Sequence, residues 1–344
     1  MRQEAGGRRQ EAFITLAHGS GGRLAAEFIQ RRLAPLFPGL GEMDDAAVLR
    51  PKGAGIAFTT DSFVVDPLFF PGGDIGRLAV FGTVNDLAVQ GAKPSWLSLA
   101  VVAPEGLPLD IFDAVIASVA AAAKETGVSV VTGDTKVVER GGLSGLILNT
   151  AGIGEMIPGA DLSAARITAG DAIIVSGPIG AHEVAVLSQR HSLGFDKIQS
   201  DCAQVACLAG ELVGRLKDAV RWMRDPTRGG LATVLNEMAV AAKATIEIVE
   251  DQIPIEPAVQ NAADILGLDP LYLACEGRFV AVVAGPRAEE ALRRLKLRPG
   301  GENTAIIGSV TGVDNEHPQV RLNTRFGSRR ILRYLAADQQ PRIC

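Results

Sequence analysis

Aromatic residues are scarce, 5% of the 344-residue chain with two tryptophans and two tyrosines, so a core built on ring packing is not expected. Glycine, at 39 residues, points instead to close approach of backbone to backbone or to ligand. Cysteine is limited to Cys202, Cys207, Cys275 and Cys344. None forms the paired CxxC spacing of a zinc site, and four are too few for a disulfide framework in a chain this long, so all four are expected as reduced thiols. No run approaches the ~18 apolar residues of a membrane span. Met1 to Gln10 is polar and charged, without the apolar region of a secretion signal, which leaves the cytoplasm as the default compartment. An excess of positive charge is also missing. Lys and Arg number 34 against 39 Asp and Glu, a net charge of -5, which argues against nucleic acid or a membrane surface as partner and favours small molecules or proteins.

What is present suits two domains, with 47% hydrophobic residues to fill them. Residues 1–40 read as an N-terminal segment in which a Gly-rich turn precedes a helix carrying Leu24, Phe28, Leu33 and Leu36. A first domain over 41–158 is expected to hold strands at 46–49 and 55–60, helices at 74–91 and 109–126 (the latter closed by Gly127), a short buried strand at 128–132 and a longer one at 143–155. Composition loosens after Pro158 through Gly159-Ala160-Asp161, and Ala172 to Ser176 opens a new strand. The second domain, 168–333, alternates helices near 180–190, 200–216, 229–243, 257–266 and 287–296 with strands near 245–249, 278–284 and 305–310. That alternation reads as an α/β layer fold. Residues 334–344 form a tail with almost no apolar surface, ending in Pro341-Arg342-Ile343-Cys344. Extended, its ten last residues span roughly 30 Å, enough for a terminal thiol to leave its domain, visit another protein and return.

Acids gather where strands stop or inside apolar helix: Asp44-Asp45, Asp61, Asp66, Asp86 and Asp134. Any one of them taken alone is a cap or turn residue. Asp86 resists that reading because it lies in the apolar run Leu78 to Val89, where an unpaired carboxylate is costly to bury. Converging carboxylates repel unless cations sit among them, and Mg²⁺ favours hard oxygen ligands shared with phosphates. Two glycine-rich loops supply the complementary half. His18-Gly19-Ser20-Gly21-Gly22-Arg23 and Asp225-Pro226-Thr227-Arg228-Gly229-Gly230 each open a helix, so Gly21, Gly22, Thr227, Arg228 and Gly229 would face a bound anion. Neither has Walker or GxGxxG spacing, which makes the expectation a nucleotide-triphosphate site without a P-loop.

The combination of Thr59-Thr60-Asp61-Ser62, Phe69-Phe70-Pro71-Gly72-Gly73-Asp74, Asn85-Asp86-Leu87-Ala88, Val131-Thr132-Gly133-Asp134-Thr135-Lys136-Val137-Val138, Asn149-Thr150-Ala151-Gly152, the Asp225 to Gly230 loop and the terminal Pro341-Arg342-Ile343-Cys344 resembles the HypE family of NiFe-hydrogenase maturation proteins over residues 12–344. Single motifs are shared with the wider PurM-like group of aminoimidazole ribonucleotide synthetase (AIR synthase), thiamine-monophosphate kinase and selenophosphate synthetase. The cysteine-terminated tail points to HypE.

The resemblance implies a two-domain PurM-like fold of mixed α+β and α/β class. An N-terminal AIR synthase-like sheet would pair with its twin in a homodimer barrel, followed by a C-terminal α/β sandwich and the mobile tail. It implies that Cys344 receives a carbamoyl group from a HypF-type carbamoyltransferase, that ATP drives dehydration of the S-carboxamide to a thiocyanate, and that the cyano group passes to iron held by HypC and HypD. Asp45, Asp61, Asp86 and Asp134 would hold Mg²⁺ and ATP, with Asp44 an alternative to Asp45. Glu276, just before the apolar strand Phe279 to Val283, is the candidate base, because burial would raise its pKa toward the working pH. Lys136, read as following a Gly133-Asp134 turn, is the candidate partner for developing negative charge. Cys275 reads as a buried filler, since a thiol fixed in a strand cannot visit another enzyme. Two other readings stay open at this point: a small-molecule ligase or kinase of the same fold, whose tail is dispensable, and a non-enzymatic adaptor that docks by its tail.

Overall fold

In a computed structural model, residues 23–24, 26–27, 30, 47–49, 55–313 and 316–334 are described. Asp44, Asp45, His18, Gly21, Gly22 and the tail from 335 to Cys344 lie outside them.

The first sheet has five strands in the order β1 (Ala47–Leu49), β2 (Ile56–Phe63), β7 (Ile147–Met156), β5 (Ala92–Pro104) and β6 (Ser129–Val138). Only the β5–β6 pair is parallel. A two-strand ribbon, β3 (Phe69–Phe70) with β4 (Gly73–Asp74), leads into helix α1 (Ile75–Val89), and α2 (Leu109–Thr126) joins β5 to β6. Asp74 caps α1, accepting the Gly76 and Arg77 N–H groups at 2.7 and 3.0 Å while Ser118 of α2 donates to the same carboxylate. Helix α1 is buried on nearly every side. The reason is its position. One flank lies on the sheet and α2, and Ala88 and Val89 reach into the core of the second sheet, so no polar stripe is needed.

The second sheet has seven strands in the order β14 (Arg329–Leu332), β13 (Gln319–Asn323), β10 (Ala244–Val249), β12 (Ala305–Val313), β8 (Ala172–Val175), β11 (Val280–Val283) and β9 (Val220–Arg224). Its central strands are apolar without alternation because both faces are covered. Ile173, Val175, Val280 and Val282 pack under α5 (Gly230–Ala241), while Ile174, Ala281 and Val283 pack under α4 (Ala206–Leu216) and α7 (Ala288–Lys296). Helices α3 (Ala181–His191) and α6 (Pro257–Leu266) instead share a core with α1 and α2. The two halves are therefore joined by continuous apolar packing. No helix among the described residues is long and apolar enough to cross a membrane.

Several expectations are corrected. The short buried strand expected at 128–132 is the ten-residue β6, exposed along almost its whole length because it is an edge strand. Gly133 and Asp134 stand inside it rather than in a turn, and Asp61 stands inside β2 rather than at its end. The thirteen-residue β5, the short β3 and β4, and strands β9, β13 and β14 are all additional to the strands that the sequence pattern predicts. The helix expected from residue 200 starts at Ala206, because the preceding residues form an extended connection pinned from outside: the Ser200 N–H donates to Pro71 O and the Val205 N–H to Asn85 Oδ1.

His182 of α3 seals this junction. Its Nδ1 lies 2.8 Å from Ser200 Oγ and its ring meets the Phe70 ring edge-on at 5.4 Å. Complete burial pulls its pKa down to about 3 from 6.5. The native state then stays unprotonated while the unfolded chain takes a proton, so this stability is present above pH 6.5 and is lost as pH falls toward 3. At about 1.4 kcal/mol per pH unit, wild type should lose about 2 kcal/mol more than His182→Gln between about pH 7.5 and pH 5, read from urea unfolding. Parallel pH dependence of the two proteins would contradict it.

Candidate functional site

The seam between the sheets collects carboxylates. On β2, Thr59 and Asp61 face α1, and Thr59 Oγ1 donates to Asp86 Oδ2 at 2.8 Å. Asp86 of α1 thereby meets the β2 acid face. The loop after β9 brings Arg228 to this group, with Nη2 3.8 Å from Asp61 Oδ1. The loop is held close to its wall: Gly230 has φ +60, and a Cβ there would sit 2.5 Å from Leu273 O, so only glycine allows the approach. Asp225 opens the loop and is buried. Burial raises its pKa from 3.8 to about 6, with Arg224 and Arg228 opposing and Asp61 adding to the rise. Burial also raises Asp61, against the pull of Arg228 and the Ser62 N–H.

Glu276 completes the group. Its peptide N–H donates to Asp201 Oδ1 at 3.1 Å, and its carbonyl accepts from Asn85 Nδ2 at 3.3 Å. Burial pushes its carboxyl well above the ordinary carboxylate range, and the charges of Asp225, Asp201 and Asp61 push in the same direction against Arg228. A carboxyl group in such surroundings binds a proton more tightly than an ordinary carboxylate, the property wanted of a general base.

Within one copy of the chain, the structure brings some of the expected magnesium and nucleotide residues together and sets others apart. Hard carboxylate oxygens suit Mg²⁺, which commonly takes one or two protein carboxylates and completes its shell with phosphate and water. Asp61 and Asp86 could serve so. Among the described residues, however, no three His, Cys, Asp or Glu side chains form a closed cage. The expected fourth member, Asp134, stands on β6 beside Lys136, three strands from β2 in the order β2–β7–β5–β6 and roughly 14 Å away. Asp134 registers with Ala100 and Lys136 with Val102, whereas the adjacent Leu99 aligns with Thr150 on the α1 side. Both side chains therefore leave the opposite face of the sheet. One copy of the chain does not bring Asp134 or Lys136 to Asp61 and Glu276.

Residues that sequence reasoning passed over are Asp201, Asn85 and Arg278, together with Asp225 as an acid in its own right. Asp201 fell within a stretch read as helix, and Asp225 follows a strand that was not foreseen. Its one available signal was an acid placed before Pro226 at the start of a glycine loop. Cys275 is fully buried, its sulfur accepting the Gly180 N–H at 3.2 Å, and burial drives its thiol pKa well up, as it does for Cys202. Neither is a nucleophile.

Residues 43–156 match the family model for the N-terminal domain of AIR synthase related proteins, and 168–321 match that for the C-terminal domain. The carbamoyl dehydratase HypE of Rhodobacter capsulatus is 44% identical over 96% of this chain and 98% of its own. That of Escherichia coli K12 is 42% identical over 96% and 99%. The chain belongs to the HypE family of carbamoyl dehydratases. Its fold agrees with a HypE solved in complex with ATP (TM-score 0.81, 45% identity, 95% of this chain and 98% of that one) and with HypE in a HypE–HypF complex (TM-score 0.84, 43% identity, 90% and 99%). A thiamine monophosphate kinase from Aquifex aeolicus aligns at TM-score 0.63 with 16% identity, a likeness of fold alone. HypE membership thus displaces the small-molecule kinase reading.

The raised Asp225 pKa has a measurable sign. The native state holds a proton that the unfolded chain has released between pH 3.8 and about 6, so stability is full below that window and declines as pH rises through it. In protein free of metal and nucleotide, the stability gained by Asp225→Asn over wild type should be about 2 kcal/mol larger at about pH 7.5 than at about pH 4. An equal difference at both values would contradict the burial account.

Proposed function

We propose that this chain dehydrates an S-carboxamide carried on its own Cys344 to a thiocyanate in the seam between the two sheets, using ATP and Mg²⁺. The observation that carries the reading is Glu276: a carboxyl group with raised proton affinity, fixed at both its peptide N–H and its carbonyl, in the field of the acids Asp225, Asp201 and Asp61 and the guanidinium of Arg228. Dehydration needs such a base. ATP supplies the phosphoryl group that turns the carboxamide oxygen into a leaving group, and Mg²⁺ offsets phosphate charge. Transfer of the phosphoryl group to the carboxamide oxygen would release ADP and one N–H proton to solvent. Glu276 would take the second N–H proton as the C–O bond breaks, phosphate departs with the oxygen and the C≡N bond closes. The carboxamide loses two hydrogens and one oxygen, and the sulfur–carbon bond persists. Arg228, with the N–H groups of Thr227 and Gly229, would hold phosphate, while Asp61 and Asp86, with Asp45 from outside the described residues, would hold the metal and Gly21 and Gly22 would cover the nucleotide.

The partner reading follows the same chemistry. Carbamoyl supply falls to a HypF-type transferase and cyano acceptance to an iron carried by HypC and HypD, all in the cytoplasm. The homodimer reading is supported by β6, an edge strand exposed at Val131 and Val137, and by exposed Trp96 on the adjacent β5 and exposed Phe58 on β2 of the same sheet. Such an edge invites pairing. A second copy packed against this sheet is the route by which Lys136 and Asp134 would reach a nucleotide site.

The test uses protein S-carbamoylated at Cys344 and follows the C-terminal peptide by mass spectrometry. Wild type with ATP and Mg²⁺ should lose the mass of one water. Glu276→Gln should slow that loss about 10²- to 10⁴-fold while still binding ATP. Dehydration by Glu276→Gln at the wild-type rate, or no dehydration by wild type, would refute the reading.

A further inference from the structure

Asp201 is buried, with its side chain 1% exposed, in the extended connection ahead of α4. Only one of its carboxylate oxygens is satisfied. Oδ1 accepts the Glu276 N–H, while Oδ2 has no hydrogen-bond partner among the described residues. The cation facing it is Arg278, whose Nε lies 3.7 Å from Oδ2 but donates to Pro178 O at 2.9 Å while Nη1 donates to Gly277 O at 2.9 Å. Arg278 thus offers charge without a hydrogen bond. The main chains approach closely as well, since a Cβ at Gly277 would fall 1.9 Å from Asp201 O. From helix α1, Asn85 Nδ2 reaches both Glu276 O and Ala203 O, and Asn85 Oδ1 accepts the Val205 N–H.

A neutral amide could make the Oδ1 contact equally well. Keeping an ionisable group here with one oxygen orphaned works against folding, and a buried unsatisfied group calls for an explanation beyond packing. Two features supply it. The carboxylate grips the peptide that carries Glu276, and it adds negative charge close to that residue, in company with Asp225 and Asp61 and opposed by Arg228. Asp201 itself is faced by Arg278, Glu256, Cys202 and Cys275.

We propose that Asp201 is a positioning residue for Glu276, fixing its main chain through Oδ1 and holding a negative charge close to its carboxyl group. The inference rests on Glu276 acting as the base of dehydration. It is tested in full-length protein S-carbamoylated at Cys344, with wild type, Asp201→Asn, Asp201→Leu, Glu276→Gln and the double variant Asp201→Asn/Glu276→Gln. Asp201→Asn keeps the acceptor and shape but removes charge, so kcat should fall about 10-fold; Asp201→Leu removes both and should fall about 100-fold, with KM for ATP unchanged in both. In the Glu276→Gln background, Asp201→Asn should cost nothing further, because a residue acting through Glu276 has nothing left to act on. Wild-type kcat in Asp201→Asn, a loss that appears in KM, or a full additional loss in the double variant would overturn the proposal. Should Asp201→Leu fail to fold, the near-isosteric Asn and the double variant still decide. Failure of wild type to dehydrate, or normal turnover by Glu276→Gln, would instead strike the functional reading beneath it.

Discussion

Like charge buried at a junction is the constraint around which the structure is arranged. Burial raises the proton affinity of Asp61, Asp201, Asp225 and Glu276; the charges of Asp225, Asp201 and Asp61 add to the rise at Glu276 and that of Asp61 to the rise at Asp225, while Arg224, Arg228 and Arg278 oppose across the seam. Left to itself such a group would take up protons or let in water. It persists because the walls are rigid: apolar packing continues from α1 and α2 into α3 and α6, and the Asn85 side chain bonds to three peptide groups of the opposite half. Stability is spent at the seam and recovered in the cores on either side.

Helix α1 makes that arrangement possible. It delivers Asn85 and Asp86 on adjacent positions, one to the second sheet's connections and the other to Thr59 of the first sheet. Successive helical residues point about 100° apart, so a helix sandwiched between two layers can address both with neighbouring side chains. The same burial that removes a polar stripe from α1 turns Asn85 and Asp86 into fixed points. Asn85 is 1% exposed and its amide makes three hydrogen bonds, so its geometry is set from both sides.

Much of this was legible in the sequence, and what was not has physical causes. Helices α2 and α6 follow their expected bounds, because Gly127 and Gly267 end them in the left-handed conformation and the apolar spacing is regular. The anomaly of Asp86 inside an apolar helix was readable as a site signal, as was Glu276 before a buried strand. Strand β6 was misjudged because Val128 to Thr132 reads as buried core, while an edge strand can be just as apolar when its exposed face is available to another chain. Asp201 was invisible. Nothing in Ser200-Asp201-Cys202 indicates that Asn85, more than a hundred residues earlier, holds the connection extended, and long-range hydrogen bonds of that kind leave no local pattern.

The thiols close the argument about how a substrate reaches so enclosed an acid cluster. Cys202 and Cys275 are buried against it, and the surrounding carboxylates act with burial to suppress their ionisation. A thiolate formed there would add negative charge where there is already an excess, so carbon cannot be loaded onto sulfur inside the seam. Cys207 is exposed, but it is fixed near the start of α4 and cannot travel. If dehydration takes place at this cluster, as proposed, loading belongs on a sulfur outside this field and the adduct enters as a neutral carboxamide, whose uncharged oxygen and N–H groups meet the carboxylates without repulsion. A separation between a place of loading and a place of dehydration is therefore imposed by electrostatics. On the proposed reading, carrying the adduct from one place to the other is the part given to Cys344, which lies outside the described residues.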